Sequence, residues 1–425
     1  MSFGHFSTLH SSLFSDIMKI EKFRDMLDTN TKAVFYKKRI IEHVIDIGPE
    51  TLPNLAKHLE VSVPTVSKMV SELVDTGVFK SYGKLETSGG RHPFLYGLDP
   101  ENCYFLGVDF ETNKMNLMLM DLCGEQVREE MGRPFTFENT EECLQELCDV
   151  VNEFLDREGP DDRAKTVSIG MNIYGRLNPN TGYSYTYFNF SEVPLAKVLS
   201  SKIGIETFID NDSRACAFGE YMTHYKENGS NMLFVNMTWG LGLGIIVDGK
   251  PYTGKSGFSG EFGHIHAYEN EVLCHCGKKG CLETEASGRA FYRKFMERVK
   301  SGDNSILRSA KSDLHKPLDE ITLLDLIEAT RREDMLCIEI LEEVGEHLGM
   351  HVASLINIFN PNVVVVGGVL ANTGDYLMQP MRSAIRKYSL NMVNQDTALR
   401  QSMLLRYAGV IGACMLARKK AVERL

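Results

Sequence analysis

Between Ser259 and Ser287 the chain brings together His264, Cys274, Cys276 and Cys281, bracketed by two carboxylates, Glu261 and Glu283. Three thiolates and one imidazole are the ligand set of a closed, four-coordinate structural zinc site. Gly277 and Gly280 lie between the last two thiols, where a chain folding tightly around an ion needs positive φ or close backbone approach. The carboxylates are surplus to a saturated site, so they read as groups that a metal-braced loop aims at something else. His275 competes for the fourth position, but it lies between two ligating cysteines and would have to bend back sharply, so His264 is preferred. Most of the other cysteines (Cys103, Cys123, Cys143, Cys148, Cys216, Cys337 and Cys414) read as small buried hydrophobes. A disulfide framework is not expected, because the N-terminus shows no signal-peptide pattern and 425 residues far exceed a stapled mini-domain.

A second constellation, Asp210-Asn211-Asp212, closes an apolar run from Ile205 and opens a helical stretch, Ser213 to Tyr221. At the carboxyl end of a strand, a carboxamide and a carboxylate are well placed to bind sugar hydroxyls. An aspartate there also suits a general base in phosphoryl transfer. The alternative is a plain helix N-cap, which Asp210 or Asp212 supplies equally well. With Glu261 and Glu283 in the same chain, a shared polyol site is the better account. Gly240, Gly242 and Gly244 follow one apolar run and Gly367-Gly368 another; such turns cradle phosphate or close tight hairpins.

The elements that must position these groups are legible from hydrophobic patterning. Apolar runs at Cys103–Phe110, Thr166–Met171, Ile205–Ile209, Met232–Met237 and Val363–Gly368 alternate with helical segments, and Asn113–Leu122 alternates like a hairpin partner of the first. That order predicts an α/β body with a largely parallel sheet. No run of 18 or more apolar residues occurs, so no membrane insertion is expected and the cytoplasm is the expected location.

Ahead of the body, helices are predicted over Thr31–Ile47 (inner residues Val34, Ile40, Ile41, Val44, Ile45), Thr51–Leu59 (Leu52, Leu55, Ala56, Leu59) and Pro64–Thr76 (Val66, Val70, Leu73, Val74). The third helix is capped by Ser62 or Val63, and its first turn presents Ser62, Thr65, Ser67 and Lys68 for base edges and phosphates. Two short helices joined by a tight turn form a helix-turn-helix pattern. Strands at Val78–Tyr82 and Phe94–Leu98 flank a Gly-rich turn whose Arg91 is free to reach phosphate, the wing of a winged module. A protein-interaction module of the same shape is the alternative. Thr31–Leu95 carries nine Lys/Arg against seven Asp/Glu, whereas the whole chain is at −11. Such a balance suits a protein whose module alone meets nucleic acid. The expected domains are a helical arm at 1–30, the winged module at 31–98 and a body at 99–425. The body has a small lobe of about 99–218 plus the C-terminal helix and a large lobe of about 219–408.

The run Gly260-Glu261-Phe262-Gly263-His264 followed by Cys274-x-Cys276-Gly277-x-x-Gly280-Cys281-Leu282-Glu283 resembles the motifs of the ROK family of repressors, uncharacterised reading frames and sugar kinases. The resemblance extends over nearly the whole chain from about residue 31. It implies a two-lobed actin-like ATPase (RNase H-like) body with a structural zinc loop. Asn211-Asp212 matches the family's sugar-contacting and catalytic pair, Gly175, Arg176 and Asn189 match further sugar-side positions more loosely, and Ala408 to Ala413 resembles its closing helix. The implied sugar ligands are thus Gly175, Arg176, Asn189, Asn211, Asp212, Glu261, His264 and Glu283, with Gly175-Arg176 leaning slightly toward amino-sugars.

Two departures separate the branches. The kinases' phosphate loop, Asp-x-Gly-Gly-Thr, is replaced by Asp109-Phe110-Glu111-Thr112-Asn113, whose bulk and negative charge oppose a triphosphate. The second phosphate motif carries Trp239 before Gly240, Gly242 and Gly244. ATP and Mg2+ are therefore not expected. The resulting expectation is a sugar-responsive regulator, most simply a repressor, with operator DNA and a sugar effector as partners and a homodimer or homotetramer as its assembly. One alternative is an ATP-dependent glucokinase or N-acetylhexosamine kinase with Asp212 as base. The other is a module that binds a transport protein.

Overall fold

In a computed structural model the chain is described for residues 32–85, 92–157, 160–227 and 229–424. The arm at 1–30 and the wing residue Arg91 lie outside the described residues. Two compact units emerge, one ending at Asn211 and resuming at Ala413, the other spanning Asp212–Gly412.

The first unit opens with α1 (Lys32–Ile47), α2 (Leu52–Leu59) and α3 (Val63–Asp75). Gly48, at φ +86°, ends α1 and donates its N–H to the Val44 carbonyl. The Thr51 hydroxyl caps α2 by accepting from Asn54 N–H at 3.4 Å, and Ser62 precedes α3 in extended conformation. Strands β1 (Glu50–Thr51), β2 (Phe79–Lys84) and β3 (Phe94–Leu98) form an antiparallel sheet in the order β1-β3-β2. On α3, Val74 proves to be exposed and Met69 is buried instead, because the stripe through Val66, Val70 and Leu73 continues at position 69. Lys37 of α1 is buried as well and pairs with Glu72 of α3 at 2.5 Å.

The rest of the first unit is a sheet of β4 (Tyr104–Glu111), β5 (Lys114–Asp121), β6 (Gln126–Pro134), β7 (Thr166–Ile173) and β10 (Thr207–Asn211), ordered β10-β7-β4-β5-β6. A two-stranded ribbon, β8 (Leu177–Asn178) and β9 (Tyr183–Ser184), stands apart. Helices α4 (Glu141–Asp156) and α5 (Leu195–Ile203) cover one face through Leu147, Phe154 and Leu199. From Met115 onward β5 is buried on both faces, where alternation with solvent was expected.

The second unit holds α6 (Asp212–Glu220) and a sheet of β11 (Met232–Met237), β12 (Leu241–Val247), β13 (Lys250–Pro251), β14 (Val363–Gly367) and β15 (Ala398–Gln401), ordered β13-β12-β11-β14-β15. Helices α7 (Gly288–Lys300), α8 (Met335–Phe359) and α9 (Asp375–Tyr388) complete its core through Phe291, Phe295, Leu348 and Met381. The expected largely parallel sheet is corrected here. Both five-stranded sheets are mixed, because Thr112-Asn113 and Thr238–Gly240 are connections too short for a parallel crossover and force antiparallel hairpins.

Helix α10 (Ala408–Glu423) ends the described chain and belongs to both units. In the first unit its backbone lies directly on β7, where a methyl group at Gly170 would overlap the Ala413 carbonyl. Cys414 Sγ faces Met118 O at 3.2 Å, Ser168 Oγ donates to Ala417 O at 3.2 Å, and Arg418 Nη1 donates to Leu122 O at 3.0 Å. Ala417, Ala421 and Val422 then enter one core with Ile40, Ile41, Val44, Leu98, Phe105 and Val167. Of the cysteines read as buried, Cys123 proves exposed and Cys216 half-buried.

Candidate functional site

The metal loop is folded by its glycines. Gly260 and Gly263 let the Glu261–His264 turn lie against the β12 backbone, since a methyl at either would overlap the Leu243 or Leu241 carbonyl. Gly277 (φ +86°) and Gly280 (φ +72°) reverse the chain so that Cys274 N–H meets Lys278 O at 2.8 Å and Cys281 bridges back to His266. One nitrogen of His264 and the sulfurs of Cys274, Cys276 and Cys281 then lie within 4.8 Å of one another. Cys276 and Cys281 sulfurs are 3.7 Å apart, and Cys274 Sγ is 3.6 Å from His264 Nδ1. A tetrahedral zinc with ordinary bond lengths sets those edges at about 3.7 Å and about 3.6 Å, so the donor set fits the ion in both chemistry and spacing. Burial pushes the Cys274 thiol up to about 12; a bound dication acts in the opposite sense by favouring thiolate. His275 instead faces Glu283, with Nδ1 2.8 Å from Oε1.

The bracketing carboxylates differ. Glu261 is exposed, its Oε2 3.9 Å from His264 Nε2. Glu283 is buried, accepts Leu241 N–H at 3.0 Å through Oε2, and lies under Gly240. It ties the metal loop to the β11–β12 turn. Asp212 opens α6, and its Oδ2 lies 3.4 Å from Asn236 Nδ2, which also donates to Ser213 Oγ at 3.1 Å. Asn236 is buried in β11 and escaped the sequence reading, although a lone carboxamide within Met232–Met237 was a usable signal.

In the first unit Gly175, at φ +82°, packs on Thr186, and its carbonyl accepts from Asn211 Nδ2 at 3.4 Å. Arg176 N–H donates to Thr186 Oγ1 at 3.0 Å and leaves an exposed side chain. Gly175, Arg176 and Asn211 are thus brought together, while Asn189 stands exposed in the loop beyond. Asn172 Nδ2 donates to Asp109 Oδ1 at 2.8 Å, both buried, and Asn172 is paired in register with Asp210. Polar groups therefore gather at the carboxyl ends of three neighbouring strands, β4, β7 and β10, where α/β sheets bind ligands. Asn172, too, was missed.

The Asp109–Asn113 segment is a strand end and a two-residue hairpin, with Asn113 at φ +57°. The obstruction expected of Phe110 is corrected: its ring is buried 4.8 Å from Phe137 and 5.6 Å from Phe135, so its bulk points into the core. Glu111 accepts from Asn116 Nδ2 at 2.9 Å, and Thr112 is exposed in the turn. Trp239 is half exposed beside Tyr292, at 5.6 Å. Gly242 and Gly244 are β12 residues whose missing side chains admit α6, since methyls there would overlap Ser213 and Ala217. Ser62, Thr65, Ser67 and Lys68 are all exposed, on the first two turns of α3 and the residue before it.

The sequence profile of the ROK family matches residues 105–420. The chain belongs to the ROK family. Among ROK proteins it is 29% identical to the xylose repressor of Caldicellulosiruptor bescii over 88% of this chain and 93% of that one. It is 26% identical to the DNA-binding transcriptional dual regulator NagC of Escherichia coli over 92% of each. A crystal structure of a ROK family transcriptional regulator, a homolog of the E. coli Mlc protein, matches with a TM-score of 0.77 at 26% identity, covering 92% of this chain and 97% of that one. A ROK glucokinase from Streptomyces griseus shares the fold with a TM-score of 0.64 at 24% identity, covering 74% of this chain and 99% of that one. Among the described residues no helix is long and apolar enough to cross a membrane.

Proposed function

We propose that this ROK protein is a sugar-responsive transcriptional repressor. The observation that carries the reading is α3: a helix seated in the core through Val66, Met69, Val70 and Leu73 presents Ser62, Thr65, Ser67 and Lys68 to solvent over its cap and first two turns. Short polar groups and one cation there suit major-groove base edges and phosphates. The β2–β3 hairpin is the wing of this winged helix-turn-helix. The regulator match over 92% of the chain supports the same branch.

The effector is a sugar or sugar derivative. Its ligands are drawn from Gly175, Arg176, Asn189, Asn211, Asp212, Glu261, His264 and Glu283, the positions that match the family's sugar-side residues. Zinc held by His264, Cys274, Cys276 and Cys281 is structural. Bound through Nδ1, His264 keeps Nε2–H as a donor beside Glu261. The exposed Trp239 and the glycine-free hairpin at Asp109–Asn113 support a body that no longer handles ATP. The test is an operator titration of the full chain with xylose, glucose and N-acetylglucosamine, the operator being a duplex selected from a random pool. Absence of DNA binding, or binding indifferent to every sugar, overturns the reading.

A further inference from the structure

The chain passes between the two compact units twice, at Asn211–Asp212 and at Gly412–Ala413. The first passage opens α6, whose first residue is Asp212, and the second lies inside the continuous helix α10. Within the second unit these two helices are clamped without side-chain padding. A methyl at Gly412 would overlap the Ala215 carbonyl, and a methyl at Gly219 would come within 2.7 Å of the Ala408 carbonyl oxygen. Glu220, at the last position of α6 and fully buried, adds a polar lock. Its carboxylate accepts from Ser402 Oγ and Met403 N–H at 2.8 Å and from Leu404 N–H at 3.2 Å, the turn that leads into α10.

One residue past Gly412, α10 changes units and again packs by bare backbone, Ala413 on Gly170. Its distal half enters the core of the N-terminal module through Ala417, Ala421 and Val422, and Lys38 Nζ of α1 donates to Glu423 O at 2.6 Å. Backbone-to-backbone packing leaves little side-chain slack to absorb a displacement. A shift of α6 is therefore passed to α10 rather than dissipated.

We propose that α10 is the lever that couples ligand binding to DNA binding. Its near end is fixed to the Asp212-bearing helix through Gly219, Gly412 and Glu220, its pivot is Gly412–Ala413, and its far end sits in the core that orients α1 to α3. This deepens the repressor reading and rests on it for the identity of the ligand. It assigns Glu220 and Val422 as positioning residues that touch neither sugar nor DNA. By linkage, the factor by which sugar alters operator affinity equals that by which operator alters sugar affinity, so both titrations report the same coupling.

The test uses full-length Glu220→Gln and Val422→Ala. The glutamine keeps one acceptor but turns an NH2 toward backbone donors, which loosens the turn; the alanine trims the far end. Each variant is expected to bind the selected operator alone and N-acetylglucosamine, xylose or glucose alone within threefold of wild type. The sugar-induced change in operator affinity is expected to shrink at least fivefold toward unity. Full retention of that factor in both variants overturns the proposal. A sugar-free measurement separates it from the reading beneath it: hydrogen exchange in Glu220→Gln should quicken at Ala417–Glu423 and Lys32–Ile47. Unchanged exchange at both segments defeats the lever whatever sugar does. Faster exchange in a protein that answers to no sugar defeats the sugar reading and leaves the lever standing. If Val422→Ala fails to fold, Glu220→Gln decides alone.

Discussion

Replacing His264 and His275 separately by alanine distinguishes a metal ligand from a neighbour. His264 Nδ1 lies 3.6 Å from Cys274 Sγ, a ligand-to-ligand edge, whereas His275 Nδ1 is 2.8 Å from Glu283 Oε1 and 3.8 Å from Cys274 Sγ. His275 is then at most an outer partner, and loss of such partners costs about 10–100-fold in metal affinity, or about 1.4–2.7 kcal/mol. Its exposed side chain and its contact with a single carboxylate place His275→Ala at the lower end, about tenfold. His264→Ala removes one of four ligand bonds and opens the site to water, so its loss should exceed about 100-fold. Competition with a chromophoric chelator at fixed pH measures both, with zinc content after dialysis as a second readout and Cys276→Ser as the control for a lost ligand. If His275→Ala releases the metal while His264→Ala retains it at wild-type affinity, the assignment is wrong.

Lys68→Ala should weaken binding to all DNA sequences alike and lower the salt dependence of log K by about one, as read by fluorescence anisotropy between low and moderate salt. Gly242→Ala should destabilise the second unit by about 1–3 kcal/mol, because the new methyl overlaps Ser213. An unchanged melting temperature would mean that this glycine serves something other than packing. Burial, and then the neighbouring His58, hold His43 below its usual 6.5 against the opposing pull of Glu50 and Asp46. The unfolded chain therefore binds more protons near that pH, and stability present above pH 6.5 declines as the pH drops through it. His43→Asn should flatten this slope in urea melts run between pH 7.5 and 5.5. Glu72→Gln should lower the stability of the N-terminal module by about 1–2 kcal/mol, since Lys37 keeps its buried place without the charged partner.

The parts of the molecule set by local chemistry were readable from the chain. The three N-terminal helices followed from apolar spacing and from Gly48 and Pro64 as punctuation, and β3 and β11 emerged at the expected bounds. The convergence of His264, Cys274, Cys276 and Cys281 was legible because three thiols and an imidazole in one short run are the donor set of a structural metal site. What pattern could not supply was partnership at a distance. Lys37 looks like a surface residue until Glu72 arrives from another helix, and Asn172 and Asn236 look like interruptions in apolar strands until Asp109 and Asp212 meet them. Phe110 differs from expectation for a related reason: a strand residue faces one side or the other according to register, and only the fold shows that its ring joins Phe135 and Phe137. Strand direction failed likewise, because composition does not distinguish a buried antiparallel strand from a parallel one.

The core that Val422 and Ala421 share with Ile40 and Val44 has a consequence for biogenesis. Lys38 and Glu423, which meet there, are separated by 385 positions. A nascent chain leaving the ribosome therefore presents α1 to α3 long before the helix that completes their core has been translated. Contacts of such sequence separation form late and slowly. The N-terminal module, although translated long before α10, gains its full core only when that helix arrives, so a message broken before codon 417 would leave the module without Ala417, Ala421 and Val422 in its core.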